Sequence, residues 1–144
     1  MPEPRSILLV DDSEAELELM RVYLAAWQGA LHIDTAADGA EALDYLLRRG
    51  RFAQRAGELP CLVVIDNKMP VMNGIDAVRE MRLSPLLRWL PIVMWTGSAD
   101  PGDIRRAHES GVTSYLVKPS RPALAREALQ AVVKYWIELN HAPG

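Results

Sequence analysis

The sequence predicts an α/β protein with a doubly wound parallel sheet, meaning one sheet covered by helices on both faces. Short apolar segments rich in Val, Ile and Leu alternate along the chain with longer segments whose apolar residues recur at helical spacing. The segment at residues 61–65 is apolar throughout, as expected for a central strand that is buried on both faces. Five strands and five helices in strict alternation imply right-handed crossovers between parallel strands.

The composition is that of one globular domain. The chain has 144 residues, of which 49% are hydrophobic, so we expect a single domain over residues 1–144 with its core at about residues 6–139. The formal net charge of -3 gives no electrostatic reason to expect nucleic acid as a partner. No apolar segment approaches the ~20 residues of a membrane span, so we expect no membrane partner. The single cysteine, Cys61, excludes an internal disulfide, and the cytoplasm is the expected location.

The first predicted strand, residues 6–10, is followed by two acids, Asp11 and Asp12. A capping box then starts the first helix, with Ser13 as its cap and Glu16 three positions later. The buried face of this helix is predicted from apolar residues that recur at helical spacing: Leu17, Met20, Leu24 and Trp27.

The second predicted strand, residues 31–35, alternates apolar and polar side chains, which favours a half-exposed position at an edge of the sheet. Asp38 and Glu41 form a second capping pair, and we expect Gly50 to end the helix that they start. Residues 50–60 are predicted to form a surface loop, which is longer than the roughly 2–6 residues typical of such a connection.

The chain turns after the strand at residues 61–65, which runs directly into Asp66. Pro70 and the pair Asn73-Gly74 predict a loop before the third helix can start. The inward residues predicted for that helix are Ile75, Val78 and Met81.

The last third of the chain repeats the pattern. Residues 91–95 form the fourth predicted strand and end at Thr96, and Asp100 caps a helix that Gly111 ends. Residues 113–117 form the last strand, which ends at Lys118. The final helix is expected to run from Ser120 to about Leu139.

Four predicted strands therefore end in polar side chains at one edge of the sheet: Asp11 and Asp12, Asp66, Thr96 and Lys118. Three carboxylates brought together repel one another and require a cation. A hard divalent ion suits oxygen ligands, and Mg²⁺ is the usual choice where phosphate oxygens complete its shell. Lys118 can bind phosphate as a point charge, and Thr96 can donate a hydroxyl. With Asp66 as the nucleophile, the residues predict phosphoryl transfer to a carboxylate.

These residues also carry a family resemblance. The combination resembles the receiver domain of two-component response regulators, a CheY-like domain, from Ile7 to Leu139. The matched positions are Asp11-Asp12, Asp66 with Met69-Pro70 and Asn73-Gly74, Thr96, and Lys118-Pro119. The resemblance implies a flavodoxin-like fold with strand order 2-1-3-4-5, and a receiver domain without an output domain.

The resemblance also implies roles for the acids. Asp66 would accept a phosphoryl group from a histidine kinase in a phosphorelay. Asp12 would ligate Mg²⁺ directly, Asp11 largely through water, and Lys68 through its backbone carbonyl. The protein would be a phosphoacceptor that assists its own phosphorylation and dephosphorylation, and not an enzyme.

For the remaining site residues the resemblance implies a switch. Thr96 and Tyr115 would form the switch pair, and Lys118 would bind the phosphoryl group. The bond between Lys118 and Pro119 would be a cis peptide. Phosphorylation would change the surface formed by the fourth helix, the fifth strand and the fifth helix. Taken alone, Tyr115 also fits a half-buried packing residue.

A narrower similarity concerns the partner. The long Arg-containing loop and the Tyr135-Trp136 ending are similar to the small response regulators of bacterial phytochromes. This similarity implies that the sensor histidine kinase is a bacteriophytochrome.

The sequence departs from the family pattern at three positions. Gly97 follows Thr96 where the family commonly has Ala, and glycine would loosen the loop that must close on the phosphoryl group. Trp95 is bulky and is expected beside the site, where it would affect access. Lys68 replaces a smaller or polar residue, and its ammonium group would compete with the metal or screen the acids.

Two other function classes are compatible with parts of the pattern. A hydrolase of the haloacid-dehalogenase kind also forms an aspartyl phosphate, but it needs a second acid at the position of Lys68. A receiver-like module that binds partners without phosphorylation is the alternative, although such a module has no physical reason to keep like charges together. The three histidines are assigned no role in the site: His32, His108 and His141.

The apolar pattern of the last helix predicts a homodimer. Its apolar residues form one stripe: Leu124, Ala128, Val132, Tyr135 and Leu139. Four more widen this stripe beyond a single buried face: Leu129, Val133, Trp136 and Ile137. An exposed apolar strip commonly marks an interface. The alternative is that the extra residues cover neighbouring loops.

Overall fold

The apolar segments form a five-stranded parallel sheet in the computed structural model, which describes residues 5–143. The strands are β1 (Arg5–Val10), β2 (Leu31–Ala36), β3 (Leu62–Ile65), β4 (Ile92–Thr96) and β5 (Ser114–Val117). Their order is β2-β1-β3-β4-β5, so the predicted topology is confirmed. The order changes direction between β1 and β3, and open α/β sheets bind their ligands outside the strand ends at such a point.

Within the described part of the chain, four α-helices connect successive strands and a fifth follows β5: α1 (Glu14–Tyr23), α2 (Gly39–Leu47), α3 (Gly74–Leu83), α4 (Pro101–Ser110) and α5 (Pro122–Lys134). A turn of π-helix at Tyr135–Leu139 continues α5. Short 3-10 turns follow α1, α2 and α3. No helix of residues 5–143 has both the length and the apolar character needed to cross a bilayer.

The sheet separates two apolar layers because the side chains of a strand point alternately to its two faces. Leu8 and Val10 of β1 face the layer that contains α2, α3 and α4. Ile7 and Leu9 face the layer that contains α1 and α5. The central strands are covered on both sides, which explains their uninterrupted apolar sequences.

The predicted helix caps are present. The Ser13 side chain accepts a hydrogen bond from the Glu16 N–H, and Asp38 accepts one from the Glu41 N–H. Asp100 caps α4 in the same way. Each cap satisfies an N–H that has no partner within its own helix, which fixes the point where the helix begins.

Several predicted helix ends were wrong. Helix α1 ends at Tyr23, and Trp27 lies in a separate 3-10 turn. Helix α2 ends at Leu47, because Arg48 adopts a left-handed conformation with φ 55°, and Gly50 begins a 3-10 turn instead. Helix α5 begins at Pro122 and not at Ser120. The residue before a proline is driven towards extended backbone, which delays the helix by two residues.

The predicted surface loop after α2 is packed against that helix. The Arg55 guanidinium stacks 4.2 Å from the centre of the Tyr45 ring, and its Nε donates to the Tyr45 carbonyl at 2.9 Å. The Phe52 and Tyr45 rings pack edge-to-face, with their centres 5.3 Å apart. The loop therefore extends the core of the α2 layer.

Candidate functional site

Strands β1 and β3 bring three carboxylates to one edge of the sheet. Asp11 and Asp12 follow β1, and Asp66 follows the neighbouring β3. One carboxylate oxygen from each residue lies within 4.8 Å of the other two. Asp11 is buried, Asp66 is half-buried and Asp12 is exposed. The cluster lies where the strand order changes direction, so it occupies the expected ligand position of this fold.

Backbone N–H groups orient two of these acids. The Ser13 N–H donates to Asp11 Oδ1 at 2.9 Å, and the Asn67 N–H donates to Asp66 Oδ1 at 2.8 Å. The Asp66 N–H donates to the Val10 carbonyl at 2.9 Å, which continues the pairing between β1 and β3. The acids are therefore held in place by the same backbone that builds the sheet.

The loop between β3 and α3 is closed tightly behind Asp66. The Gly74 N–H donates to the Asn67 carbonyl at 2.8 Å, and the Asn67 side chain accepts from the Ile75 N–H at 3.0 Å. A Cβ atom at Gly74 would lie 2.3 Å from the Asp66 carbonyl oxygen, so only glycine fits. The pair Asn73-Gly74 predicted the loop, but the positioning role of Asn67 has no signal in the sequence.

Lys118 places its ammonium group in the acid cluster. Its Nζ lies 3.5 Å from Asp11 Oδ2 and 3.6 Å from Glu16 Oε2. The side chain is only 20% exposed, so it does not extend into solvent. Glu16 was predicted only as a capping residue, and its approach to Lys118 depends on the tertiary packing of α1, which contacts α5.

Burial raises the pKa of Asp66, and the negative charge of Asp11 acts in the same direction. The Lys118 ammonium, the Asn67 N–H and the Thr96 hydroxyl lower this pKa but do not cancel the effect of burial. The charged form of Asp66 is therefore less favourable in the folded protein than in water. A bound cation would relieve this cost.

The donor set fits a hard divalent cation. Carboxylate oxygens are the ligands that such ions prefer, and Lys118 alone cannot neutralise three clustered acids. The residues that could hold the ion are Asp11, Asp12 and Asp66. Lys68 is exposed and lines the cleft that adjoins these acids.

An open cleft of ≈ 320 Å³ lies beside the acids. It is lined by Asp66, Lys68, Thr96, Gly97, Ser98 and Lys118. The lining therefore combines ammonium groups and hydroxyls with the carboxylate of Asp66. A small anion entering the cleft would meet an ammonium group and a hydroxyl next to the Asp66 carboxylate.

Thr96 lines the cleft at the end of β4, and Tyr115 on β5 contacts the loop that follows β4. Thr96 is the last residue of β4 and is buried, and Tyr115 is half-buried against the α2 to α4 layer. The Tyr115 hydroxyl donates to the Ser98 carbonyl at 2.9 Å. The two predicted switch residues are therefore connected through the loop that follows β4.

The structure corrects two expectations at this edge. The peptide bond between Lys118 and Pro119 is trans, as is every peptide bond in residues 5–143. For a bond before proline the trans form is favoured by about 0.5–1 kcal/mol unless tertiary contacts demand the other form.

Trp95 does not line the cleft, because its side chain points into the layer of α1 and α5, where it is buried. The histidines lie outside the site, and the His32 ring contacts Asp34 on β2.

Comparison with known proteins defines the class. Residues 7–130 match the response regulator receiver domain family, and the chain belongs to that family. It is similar to the probable methanogenesis regulatory protein FilR2 of Methanothrix harundinacea, with 32% identity over 143 residues covering 99% of this chain and 90% of the relative.

Two solved structures are close in fold. The phosphorylated cyanobacterial phytochrome response regulator RcpA has a TM-score of 0.90 at 25% identity, covering 98% of this chain and 99% of RcpA. The Mn²⁺-bound form of response regulator Rcp1, a Synechocystis protein, has a TM-score of 0.88 at 26% identity, covering 98% of this chain and 100% of Rcp1. The predicted similarity to the small phytochrome response regulators is confirmed, and the acid cluster is compatible with a divalent ion of the kind bound by Rcp1.

Proposed function

We propose that this protein is a response regulator that accepts a phosphoryl group on Asp66 from a sensor histidine kinase in the presence of Mg²⁺. The observation that carries the proposal is the cluster of Asp11, Asp12 and Asp66 within 4.8 Å, with the Lys118 ammonium 3.5 Å from Asp11. Such a cluster is costly unless it binds cations, and the adjoining cleft is open to a phosphoryl donor.

The chemistry requires one bond to form as another breaks. A carboxylate oxygen of Asp66 attacks the phosphorus of a phosphohistidine, and the N–P bond to the imidazole breaks as the O–P bond forms. Lys118 and the Thr96 hydroxyl stabilise the phosphoryl oxygens. Water later attacks the phosphorus, which releases inorganic phosphate and restores Asp66. The protein assists both steps on itself and is not a turnover enzyme.

The acids and one carbonyl would hold the metal. Asp12 and Asp66 would contact it directly, Asp11 largely through water, and Lys68 through its backbone carbonyl. When bound, Mg²⁺ neutralises the acids and the incoming phosphoryl oxygens. Lys68 is exposed and lines the same cleft as Asp66 and Lys118.

The output of the switch is the surface formed by α4, β5 and α5. A phosphoryl dianion beside Thr96 and Lys118 favours a loop position in which the hydroxyl of Thr96 contacts it, and Tyr115 follows through its hydrogen bond to Ser98. A bacteriophytochrome kinase in the cytoplasm is the proposed partner. Its support is the similarity to RcpA, which is described as a phytochrome response regulator.

Acetyl phosphate with Mg²⁺ tests the proposal. We expect one acid-labile and base-labile phosphoryl group per chain, detected by intact mass, and none in Asp66→Asn. Continuous release of phosphate without a stable adduct would indicate a hydrolase. A wild-type chain that takes up no phosphoryl group would favour the phosphorylation-independent binding module.

We also propose a homodimer through α5. One face of α5 and its extension is buried at Ala125, Leu129, Val133 and Ile137. A second apolar stripe remains outside, where Leu124 is 44%, Tyr135 48% and Leu139 59% exposed. The two faces were merged in the sequence prediction, and only the outer one is available to a partner.

Sedimentation velocity at tens of micromolar, with and without beryllofluoride, tests the dimer. We expect a dimer for the wild type and a shift to monomer for Tyr135→Glu. The matched control is Leu86→Glu, which adds a charge at another exposed leucine, 76% exposed, on the turn Pro85–Leu87. A monomeric wild type in both conditions would exclude the dimer.

A further inference from the structure

Ser98 joins the loop after β4 to two other elements. Its carbonyl accepts a hydrogen bond from the Tyr115 hydroxyl on β5 at 2.9 Å. Its hydroxyl donates to Asp103 Oδ2 at 2.6 Å and accepts from the Asp100 N–H at 3.2 Å. A residue that lines the cleft is therefore connected to β5 through its backbone and to α4 through its side chain.

Asp103 is the α4 partner in this arrangement. It lies in the first turn of α4, where Asp100 caps its N–H at 3.0 Å. One carboxylate oxygen accepts from Ser98 and the other from Arg106. These two hydrogen bonds lower the pKa of Asp103, so the carboxylate stays ionised. An ionised acceptor makes a stronger hydrogen bond than a neutral one.

Gly97 explains why the loop needs the hydrogen bond between Ser98 and Asp103. It lies between Thr96 and Ser98, and a Cβ atom at this position would have no atom within 4 Å. The loop therefore has no side-chain packing at residue 97 and carries the conformational freedom of glycine. The residues on both sides line the cleft, so their positions must be fixed by other interactions.

We propose that Asp103 is a positioning residue for the phosphoryl-acceptor site: through Ser98 it holds residues 96–98 at the cleft and offsets the freedom of Gly97. The inference rests on the proposed function.

Helix α3 supplies a matched control. Asp76 occupies the corresponding position in its first turn, where its N–H is capped by Asn73 at 2.9 Å and its carboxylate pairs with Arg79 at 3.0 Å. Asp76 and Asp103 thus share the cap, the ion pair and the favourable interaction with the helix N-terminus. They differ in the hydrogen bond to the cleft loop, which only Asp103 makes.

The first test is the affinity of the Mg²⁺-loaded protein for beryllofluoride, a phosphoryl analogue. We expect Ser98→Ala and Asp103→Ala each to raise the Kd about three- to tenfold, because each removes a charge-assisted hydrogen bond. The double variant should bind no worse than the weaker single one, and Asp76→Ala should match the wild type. Equal effects of Asp103→Ala and Asp76→Ala, or additive effects of the two loop changes, would overturn the proposal.

Two further variants separate positioning from general stability. Asp103→Asn keeps an oxygen acceptor for Ser98 and should stay within about twofold of the wild-type Kd. Gly97→Ala is compatible with the open space at this position and should restore affinity to Asp103→Ala, because alanine restricts the loop backbone. Failure of Gly97→Ala to improve Asp103→Ala would count against the proposal.

Amide hydrogen exchange on the free protein distinguishes this inference from the proposed function. Asp103→Ala should speed exchange at the Ser98 and Asp100 amides, whereas Asp76→Ala should not. Unchanged exchange in Asp103→Ala would overturn the positioning role. If the wild type failed to bind beryllofluoride, the proposed function would be wrong. Faster exchange in Asp103→Ala would then show only that Asp103 stabilises the loop conformation.

Discussion

Asp66 occupies a position that lowers the stability of the metal-free protein. Its carboxylate is half-buried beside Asp11, and both circumstances raise its pKa. The charged form is thus less favourable in the folded than in the unfolded chain, and this cost is present above the folded pKa. Groups whose position serves chemistry commonly lower the stability of the folded protein in this way.

At this scale we predict that Asp66→Asn stabilises the metal-free protein. The melting temperature should rise by roughly 2–5 °C at neutral pH, because the amide removes a half-buried charge without changing the side-chain shape. The gain should shrink as the pH falls through the raised pKa of folded Asp66, and it should vanish below the pKa of the unfolded chain, about 4. Calorimetry of both proteins across this range measures the difference. A lower melting temperature for Asp66→Asn at neutral pH would contradict the prediction.

Residue-level sequence patterns predicted the acids, Thr96 and Lys118, because each directly follows an apolar strand. The same patterns did not identify Glu16 as a neighbour of Lys118 or Asn67 as the residue that closes the loop behind Asp66. These contacts depend on tertiary packing, and no local spacing encodes them. The placement of Trp95 was wrong for a related reason, since one residue along a strand reverses the face to which a side chain points.

Arg82 connects helix α3 to two other elements. Its Nε donates to the Gly111 carbonyl at the end of α4 at 2.9 Å, and its Nη1 donates to the Leu87 carbonyl at 2.7 Å. The guanidinium is partly buried where it makes these bonds, and this burial lowers its pKa. The sequence indicated only a helix residue at this position.

We predict that Arg82→Ala lowers the free energy of unfolding by about 2 kcal/mol, because it leaves carbonyl groups of α4 and the following turn without a donor. Arg79→Ala is the control on the same helix. Arg79 makes only an exposed pair with Asp76, so its loss should cost about 0.5 kcal/mol or less. Urea denaturation measures both values. Equal losses for the two variants would show that Arg82 does not link the elements.

The start of most elements could be predicted because capping is local, as at Ser13, Asp38 and Asp100. The ends were harder. Helix α2 ends where Arg48 turns left-handed and reaches the Gly57 carbonyl across the loop, which is a tertiary contact. The packing of that loop on Tyr45 has the same origin. Elements were thus predicted to within a few residues, and their limits were set by contacts distant in sequence.

At the scale of the molecule, the strand order converts separate sequence positions into one site. The acids come from two neighbouring strands, Thr96 from the next and Lys118 from the edge strand β5. This convergence follows from parallel topology, so it could be predicted once the alternation of strands and helices was recognised. The separation of the two apolar faces of α5 could not, because it depends on which face meets the sheet.

The central claim is that the acid cluster is tolerated because a bound cation and Lys118 neutralise it. The most direct test is the melting temperature during a Mg²⁺ titration. Binding to the folded state alone should raise it saturably, and Asp12→Asn should abolish most of the rise while Asp76→Asn leaves it intact. A melting temperature that does not respond to Mg²⁺, or an equal response in Asp12→Asn and the wild type, would contradict the account.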